Sequence, residues 1–421
     1  MRPNRAANPD AWTTDWAQSA QSGVTIRDAL IPELEEDGIS LRSMSVTATQ
    51  AELRVANRRY RNLSVSVGRT ARIMARILPP SVETFLITPM QDGLPLSTVT
   101  IQRSDLERLE FEPDASGKLL AATRFNDATP RLGNEIQPVG LYPQFSWSIG
   151  PFLSPSYFDP DEPVRIDAGI AGEFRYRPGP GWLVAGQARI RAFGNVEDGR
   201  LSNSVLPRVR TDTVLFAAES DIPIDQLYVS EQWKTGKNTY ARVTGGYLES
   251  QYGGLSGEIL WKPQDSRLAI GVEANYARQR DFDQLFGFQE LDAFTGHVSA
   301  YYEFGRGFLG QVDVGRYLAG DTGATFTLTR EFANGWKVGG FFTLTNVSSE
   351  EFGEGSFDKG INLTIPIDWF LGRPTTQTVS TTIRPVLRDG GARLNVPGRL
   401  FEQVRVGQQN DLVSSWARVW E

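Results

Sequence analysis

From Phe145 onward the chain repeats stretches of about 10 to 13 residues in which apolar and polar side chains take turns. In RIDAGIAGEFRYR, residues 165 to 177, Ile166, Ala168, Ile170, Phe174 and Tyr176 fall on one face. Arg165, Asp167, Glu173, Arg175 and Arg177 fall on the other. Successive side chains of a strand point to opposite faces, so such a stretch separates an apolar surrounding from an aqueous one. WLVAGQARIRAF, RLAIGVEANYAR, FTGHVSAYYEF, ATFTLTREF, WKVGGFFTLTNV, INLTIPID and TVSTTIRP repeat the pattern. Between them PGPG, TGKN, PQDS, GRG, GDTG and NG supply turn chemistry. The reading gives about 12 to 14 strands, many longer than the five or six residues usual in a soluble sheet.

Alternation alone is shared by sandwiches and propellers, and leaves the apolar side open between a protein core and lipid. Three features favour lipid. Aromatic residues gather near strand ends (Trp182, Trp233, Trp261, Tyr301, Tyr302, Trp336, Trp369), as in an interfacial girdle. The polar face carries charges of both signs in mid-strand, which suits a watery lumen. Polar loops at 195–208, 278–293 and 348–358 interrupt otherwise short turns. In this strand count those loops do not all fall at one end. No stretch reaches the roughly 18 apolar residues of a membrane helix, but a barrel strand needs only about ten, alternating.

Residues 1–130 read differently. TIRDALIPELEEDG sets Ile26, Ala29, Leu30 and Leu34 at helical spacing and ends at Gly38. Strands ISLRSMSV and AELRVAN follow, then a helix over 65–77 stopped by Pro79 and Pro80, then strands VETFLITPM and STVTIQ. This order suits a small α+β domain. The expected organisation is that domain at 1–130, a linker at 131–144 and a transmembrane antiparallel β-barrel at 145–421.

Composition removes several functions. Cysteine is absent, so disulfides, thiolate metal sites and cysteine-linked lipid are impossible in this chain. A formal charge of −7 argues against nucleic acid as a partner. MRPNRAANPDAWTTDW lacks the apolar run of a secretory signal, which fits either a cytoplasmic protein or a mature or truncated chain. His297 is the sole histidine, which removes the usual serine triads and most histidine metal sites. Asp281 with Asp283, and the acidic loop of Glu350, Glu351, Glu354 and Asp358, read as solvated turns. GKN at 236–238 reads as a hairpin turn rather than a phosphate loop.

The functional candidates lie on the polar face: Arg165, Glu173, Arg175, Arg177, Arg189, Arg191, Glu258, Lys262, Glu273, His297, Glu303 and Asp313. If the strands close around water, these line the lumen and suit a hydrated, often acidic polysaccharide. The bland reading is that they solvate the lumen or pair across strands. On either reading Glu273→Arg is expected to be tolerated.

TGGYLESQYGGLSGEILWKP, QRDFDQLFGF, GRYLAGDTGATFTLTREFANGWKVGGFFTLTNVS, EEFGEGSFDKGINLTIPID and RPVLRDGGARL resemble the C-terminal portion of the YjbH-like exopolysaccharide-biosynthesis proteins. The preceding α+β segment looks like that family's periplasmic part. The resemblance implies a Gram-negative outer-membrane β-barrel, often a lipoprotein, acting in exopolysaccharide or capsule export or assembly. Its implied partners are outer-membrane lipid, polysaccharide and other export proteins. Family members are longer, with a signal sequence and often a lipidated cysteine, so the chain resembles the C-terminal part of a member. Near the end, SSWARVWE places Trp420 where many outer-membrane barrels finish on an aromatic residue, although Glu421 departs from that pattern. The expectation is a non-enzyme without cofactor or metal. A soluble or surface-attached carbohydrate-binding β-protein and a general diffusion porin are the alternatives.

Overall fold

The computed structural model describes residues 13–158, 161–220, 222–352, 357–384 and 388–421. Glu354 of the acidic loop and most of the leading stretch, residues 1–12, lie outside the described residues.

The N-terminal unit begins with α1 (Ala20–Glu36), which ends where Gly38 takes a left-handed φ of 71°. Ile26, Leu30 and Leu34, spaced for one helix face, are buried. Then come β1 (Ile39–Val46), β2 (Gln50–Asn57), α2 (Leu63–Ile77), β3 (Thr84–Gln91), β4 (Leu94–Pro95), β5 (Ser97–Gln102), α3 (Arg103–Leu109), α4 (Ala115–Ala122) and β6 (Arg124–Asp127). The sheet order is β1-β2-β3-β5-β6, with β4 beside β3. Among the described residues only β2 and β3 pair in parallel, because α2 crosses between them. Unusually for an α+β layer, α2 buries serines as well as apolar residues: Ser64 and Ser66 are as hidden as Val65 and Val67. A second layer covers that face, as described below.

The second unit is a 13-stranded antiparallel meander that curves into a nearly closed barrel. Its strands are β7 (Gln144–Tyr157), β8 (Val164–Arg177), β9 (Trp182–Gly194), β10 (Ile224–Gly236), β11 (Thr239–Tyr247), β12 (Tyr252–Trp261) and β13 (Leu268–Arg280). They continue with β14 (Phe288–Gly305), β15 (Phe308–Arg316), β16 (Thr322–Glu331), β17 (Lys337–Thr345), β18 (Asp358–Pro366) and β19 (Thr378–Ile383). Short helices α5 (Thr213–Glu219), α6 (Ser349–Phe352) and α7 (Asp368–Leu371) sit in connections. Strands β7 and β19 are the two edges.

Burial in this sheet is inverted relative to a soluble protein. On β13, Ile270, Val272 and Tyr276 are exposed while Glu273, at 4%, and Asn275 are buried. The same outward apolar face continues through Val229, Leu255, Val298, Val314, Leu328 and Ile361. A soluble fold hides such residues; a membrane barrel turns them to lipid.

The connections resolve the difficulty in the sequence count. Turns at 178–181, 237–238, 262–267, 306–307 and 332–336 lie at the end of the barrel that faces the N-terminal unit. The connections that leave β9, β13 and β17 all start at the opposite end. Counting strands by hydropathy missed where some hairpins turned. Asp283 caps one of these turns, accepting from the Leu285 N–H at 2.9 Å, and Asn238 turns the GKN hairpin with φ 59°.

The final strand ends at Ile383, and the tail does not finish as a strand. Residues 389–399 leave the sheet, and α8 (Leu400–Arg405) and α9 (Gln409–Ser414) follow. Trp416 opens a helical turn with its ring edge-on to Phe125 at 5.4 Å. The aromatic ending expected of SSWARVWE is instead core packing. Leu412, Trp416 and Val419 join the N-terminal core, and the Ser415 carbonyl accepts from Ser64 Oγ at 2.8 Å. The tail is thus the layer that covers α2.

Candidate functional site in the barrel interior

Antiparallel register places Arg242 of β11 opposite Glu258 of β12, Glu258 opposite Glu273 of β13, and Glu273 opposite His297 of β14. Two carboxylates directly opposed across strands repel, so the arrangement needs cations. Arg242 provides one: its Nε donates to Glu258 at 3.0 Å and its Nη2 lies 3.5 Å from Glu273. Two others come from the segment beyond the last strand. Arg399 donates to both oxygens of Glu273, at 2.8 and 3.0 Å, and Arg393 meets Asp313 of β15 at 2.8 Å. Three guanidinium groups therefore face three carboxylates; Arg242 and the carboxylates are buried, while Arg393 and Arg399 stay partly exposed.

The C-terminal segment runs through the barrel from end to end. At the loop end Asp389 accepts from the backbone N–H of Arg210 and Thr211, and the Leu318 N–H donates to the Ala392 carbonyl at 2.9 Å. Still at the loop end, Asn395 reaches Glu249 of the β11–β12 turn at 2.9 Å. Toward the turn end the Leu400 N–H donates to both Glu258 oxygens at 3.1 Å, and Phe401 stacks on Tyr301 with ring centroids 3.8 Å apart. Asn410 then bonds Glu303 at 2.9 Å before the tail enters the N-terminal core.

The twelve candidates divide by what they meet. Glu258, Glu273, His297 and Asp313 lie in the buried cluster, and His297 packs edge-on to Tyr317 at 4.8 Å. Lys262 and Glu303 pair at 3.3 Å near the turn end. Arg165 bonds Glu162 and the Asn195 carbonyl, and Arg191 pairs with Glu197, both toward the loop end. Arg189 sits 3.4 Å from Asp225 with its guanidinium over the Phe152 ring. Arg177 leaves the lumen set altogether, binding Asp92 of the N-terminal unit at 2.7 Å. Glu173 accepts from Ser148 at 3.1 Å, and Arg175 has no hydrogen-bond or ion-pair partner among the described residues.

The interior is consequently in two parts. Inward residues of β11–β15 are covered by the C-terminal segment, whereas Ser146, Ser148, Glu173 and Arg175 on β7 and β8 are exposed. So are Ser380 and Thr382 on β19. Sequence reading missed Arg242, Arg393 and Arg399. Arg393 and Arg399 lie where strand periodicity has ended, in GGARLNVPGR, and that loss of alternation beside two arginines is the signal that was present. Among the described residues no cluster of acidic or histidine side chains has the arrangement of a metal site.

The family described as "Exopolysaccharide biosynthesis protein YbjH" matches residues 2–406. A protein of Escherichia coli K12, "Uncharacterized lipoprotein YjbH", is 32% identical over 357 residues, covering 82% of this chain and 50% of the relative. The chain thus spans about half the length of the curated relative it matches. A solved structure of Salmonella typhi OmpF in complex with daunomycin aligns at a TM-score of 0.31 and 10% identity, over 59% of this chain and 90% of that one. With near-complete coverage by one family and a relative above 30% identity, the chain belongs to the YjbH family of exopolysaccharide biosynthesis proteins.

Proposed function

We propose that this protein is an outer-membrane β-barrel that takes part in exopolysaccharide export or assembly, with its α+β unit in the periplasm. The observation that carries the reading is the inverted burial of the meander, apolar outside and charged inside. Short turns beside the α+β unit and long loops at the other end match the usual periplasmic and extracellular ends of such barrels. The family description supplies the polymer.

The interior favours a guided passage over free diffusion. The C-terminal segment fills the side lined by β11–β15, and the exposed polar surface of β7, β8 and β19 leaves the other side for a hydrated chain. The proposed role is conduction or scaffolding rather than catalysis. The proposed partners are membrane lipid, the polysaccharide and other export proteins.

Membrane fractionation combined with protease access tests this directly. The chain is expected in the outer membrane, with the loops at 195–223 cut from outside and residues 20–127 cut only after the periplasm is opened. Recovery as a soluble, detergent-free monomer overturns the reading.

A further inference from the structure

A cavity of about 1430 Å³ lies between the α+β unit and the turn end of the barrel. Its walls come from β1 and β2, from the β3–β4 turn, from the linker and from the near ends of β7–β10. Arg42, Arg58, Arg177 and Asp92 all line it, and Arg42 feels the charges of the other three. Asp92 is already committed to Arg177, at 2.7 Å. Arg42 is left with a buried Nη1 that has no hydrogen-bond partner among the described residues. Burial lowers its pKa from the ordinary arginine value; Tyr142 and Asp92 oppose that shift, while Arg58 and Arg177 add to it. A half-buried guanidinium lacking a full partner is costly, and an incoming anion relieves that cost with charge-assisted hydrogen bonds.

Two further features narrow the anion. Tyr142 and the half-exposed Trp182 stand on the wall, flat apolar surfaces of the kind on which a sugar ring stacks. Glu135 and Glu231 stand there too, which disfavours a densely charged polyanion and suits a sugar bearing isolated carboxylates. The cavity also reaches the near ends of the strands that bound the uncovered side of the barrel. Gln144 and Ser146 line it, and on the same inward face Ser146 is opposite Arg175 and Ser148 opposite Glu173.

We infer that this cleft is a binding site for a carboxylate-bearing saccharide segment, held by Arg42 and Arg58 and delivered along β7 and β8 into the open side of the barrel. The inference rests on the proposed role in exopolysaccharide handling and gives that role an entry site with a substrate class.

The test uses the full chain purified in detergent, with oligogalacturonate, maltotriose and inorganic phosphate as probes, read by calorimetry and tryptophan fluorescence. Oligogalacturonate is expected to bind, with maltotriose and phosphate each at least about tenfold weaker, the loss of one charge-assisted contact being worth about that factor. Arg42→Gln should weaken oligogalacturonate binding by about tenfold, and Arg42→Lys should restore part of it. Should Arg42→Gln fail to fold, Arg58→Gln, at an exposed position, carries the same expectation. Equal binding of phosphate or maltotriose, or no effect of either substitution, overturns the site. Absence of oligogalacturonate binding by a chain that assembles in the outer membrane and supports polymer export removes this inference alone. A chain that never enters the membrane removes the broader reading, and the binding measurement then still decides the cleft.

Discussion

Arg399 grips Glu273 with both arms of its guanidinium, Nε to Oε2 at 2.8 Å and Nη2 to Oε1 at 3.0 Å, joining two residues 126 positions apart in sequence. The contact ties the C-terminal segment to the inside wall of the barrel. Removing Arg399 leaves Glu273 buried beside Glu258 with only the longer contacts to Arg242 and Arg393, at 3.5 and 3.6 Å, so the cost falls below the roughly 3 to 5 kcal/mol of a wholly unpaired buried charge. Arg399→Ala should therefore release the tail, seen as new protease cleavage near residues 389–400 while the strands stay protected. Replacing both residues with apolar side chains of similar volume should recover much of the loss.

The two faces of β13 should respond differently, for different reasons. Ile270→Arg and Val272→Arg place a charge on the outward apolar face and should impair membrane assembly by about 2 to 4 kcal/mol near the midplane. Glu273→Arg, which the alternation alone marks as harmless, should also fail. It sets a fourth guanidinium among Arg242, Arg393 and Arg399. Asn362→Arg, on an inward position outside the covered side, is the tolerated control. Heat-modifiable migration of the folded barrel reports all four.

Gly68 lets the tail lie against α2. A Cβ built there would stand 1.7 Å from the Val419 carbonyl oxygen, so backbone has to move. Gly68→Ala should undock the last residues, expose Trp416 and shift its fluorescence to the red, whereas alanine at a free helical position would stabilise by roughly 1 kcal/mol.

Asp411 gives the tail a pH response. Burial raises its carboxyl pKa from 3.8 to about 7, with Arg405 offsetting part of the effect. The folded state then binds a proton more tightly than the unfolded chain, so this stabilising contribution is complete below about pH 3.8 and lost as pH rises through about 7. Asp411→Asn cannot titrate. Its stability relative to the parent should improve between pH 4 and pH 8 by on the order of 4 kcal/mol, measured by thermal unfolding in detergent. A pH-independent difference sinks the assignment.

Much of the architecture was legible in the residue order, because a strand's period of two and a helix's turn-by-turn spacing are local properties. Ile270, Val272 and Glu273 declare their faces from their neighbours alone. So do Leu30 and Leu34 on α1, and GRG or NG as turns. The opening RIDAGIAGEFRYR is a strand with unlike sides, β8, in the order read. Polar against apolar was decided locally; what fills the polar side was not. Whether Glu273 meets water or Arg399 depends on a segment more than a hundred residues later passing through the barrel. That passage follows no period, since its hydrogen bonds go to side chains of many strands. Likewise Arg175 and Arg177, two apart on one face, diverge: one stays in the open interior and the other binds Asp92, because only the tertiary arrangement sets where the α+β unit meets the barrel rim. Alternation is a property of backbone geometry, written at every step of the chain. Long-range pairing is a property of loop closure and packing, and is settled only when distant segments compete for the same buried charge.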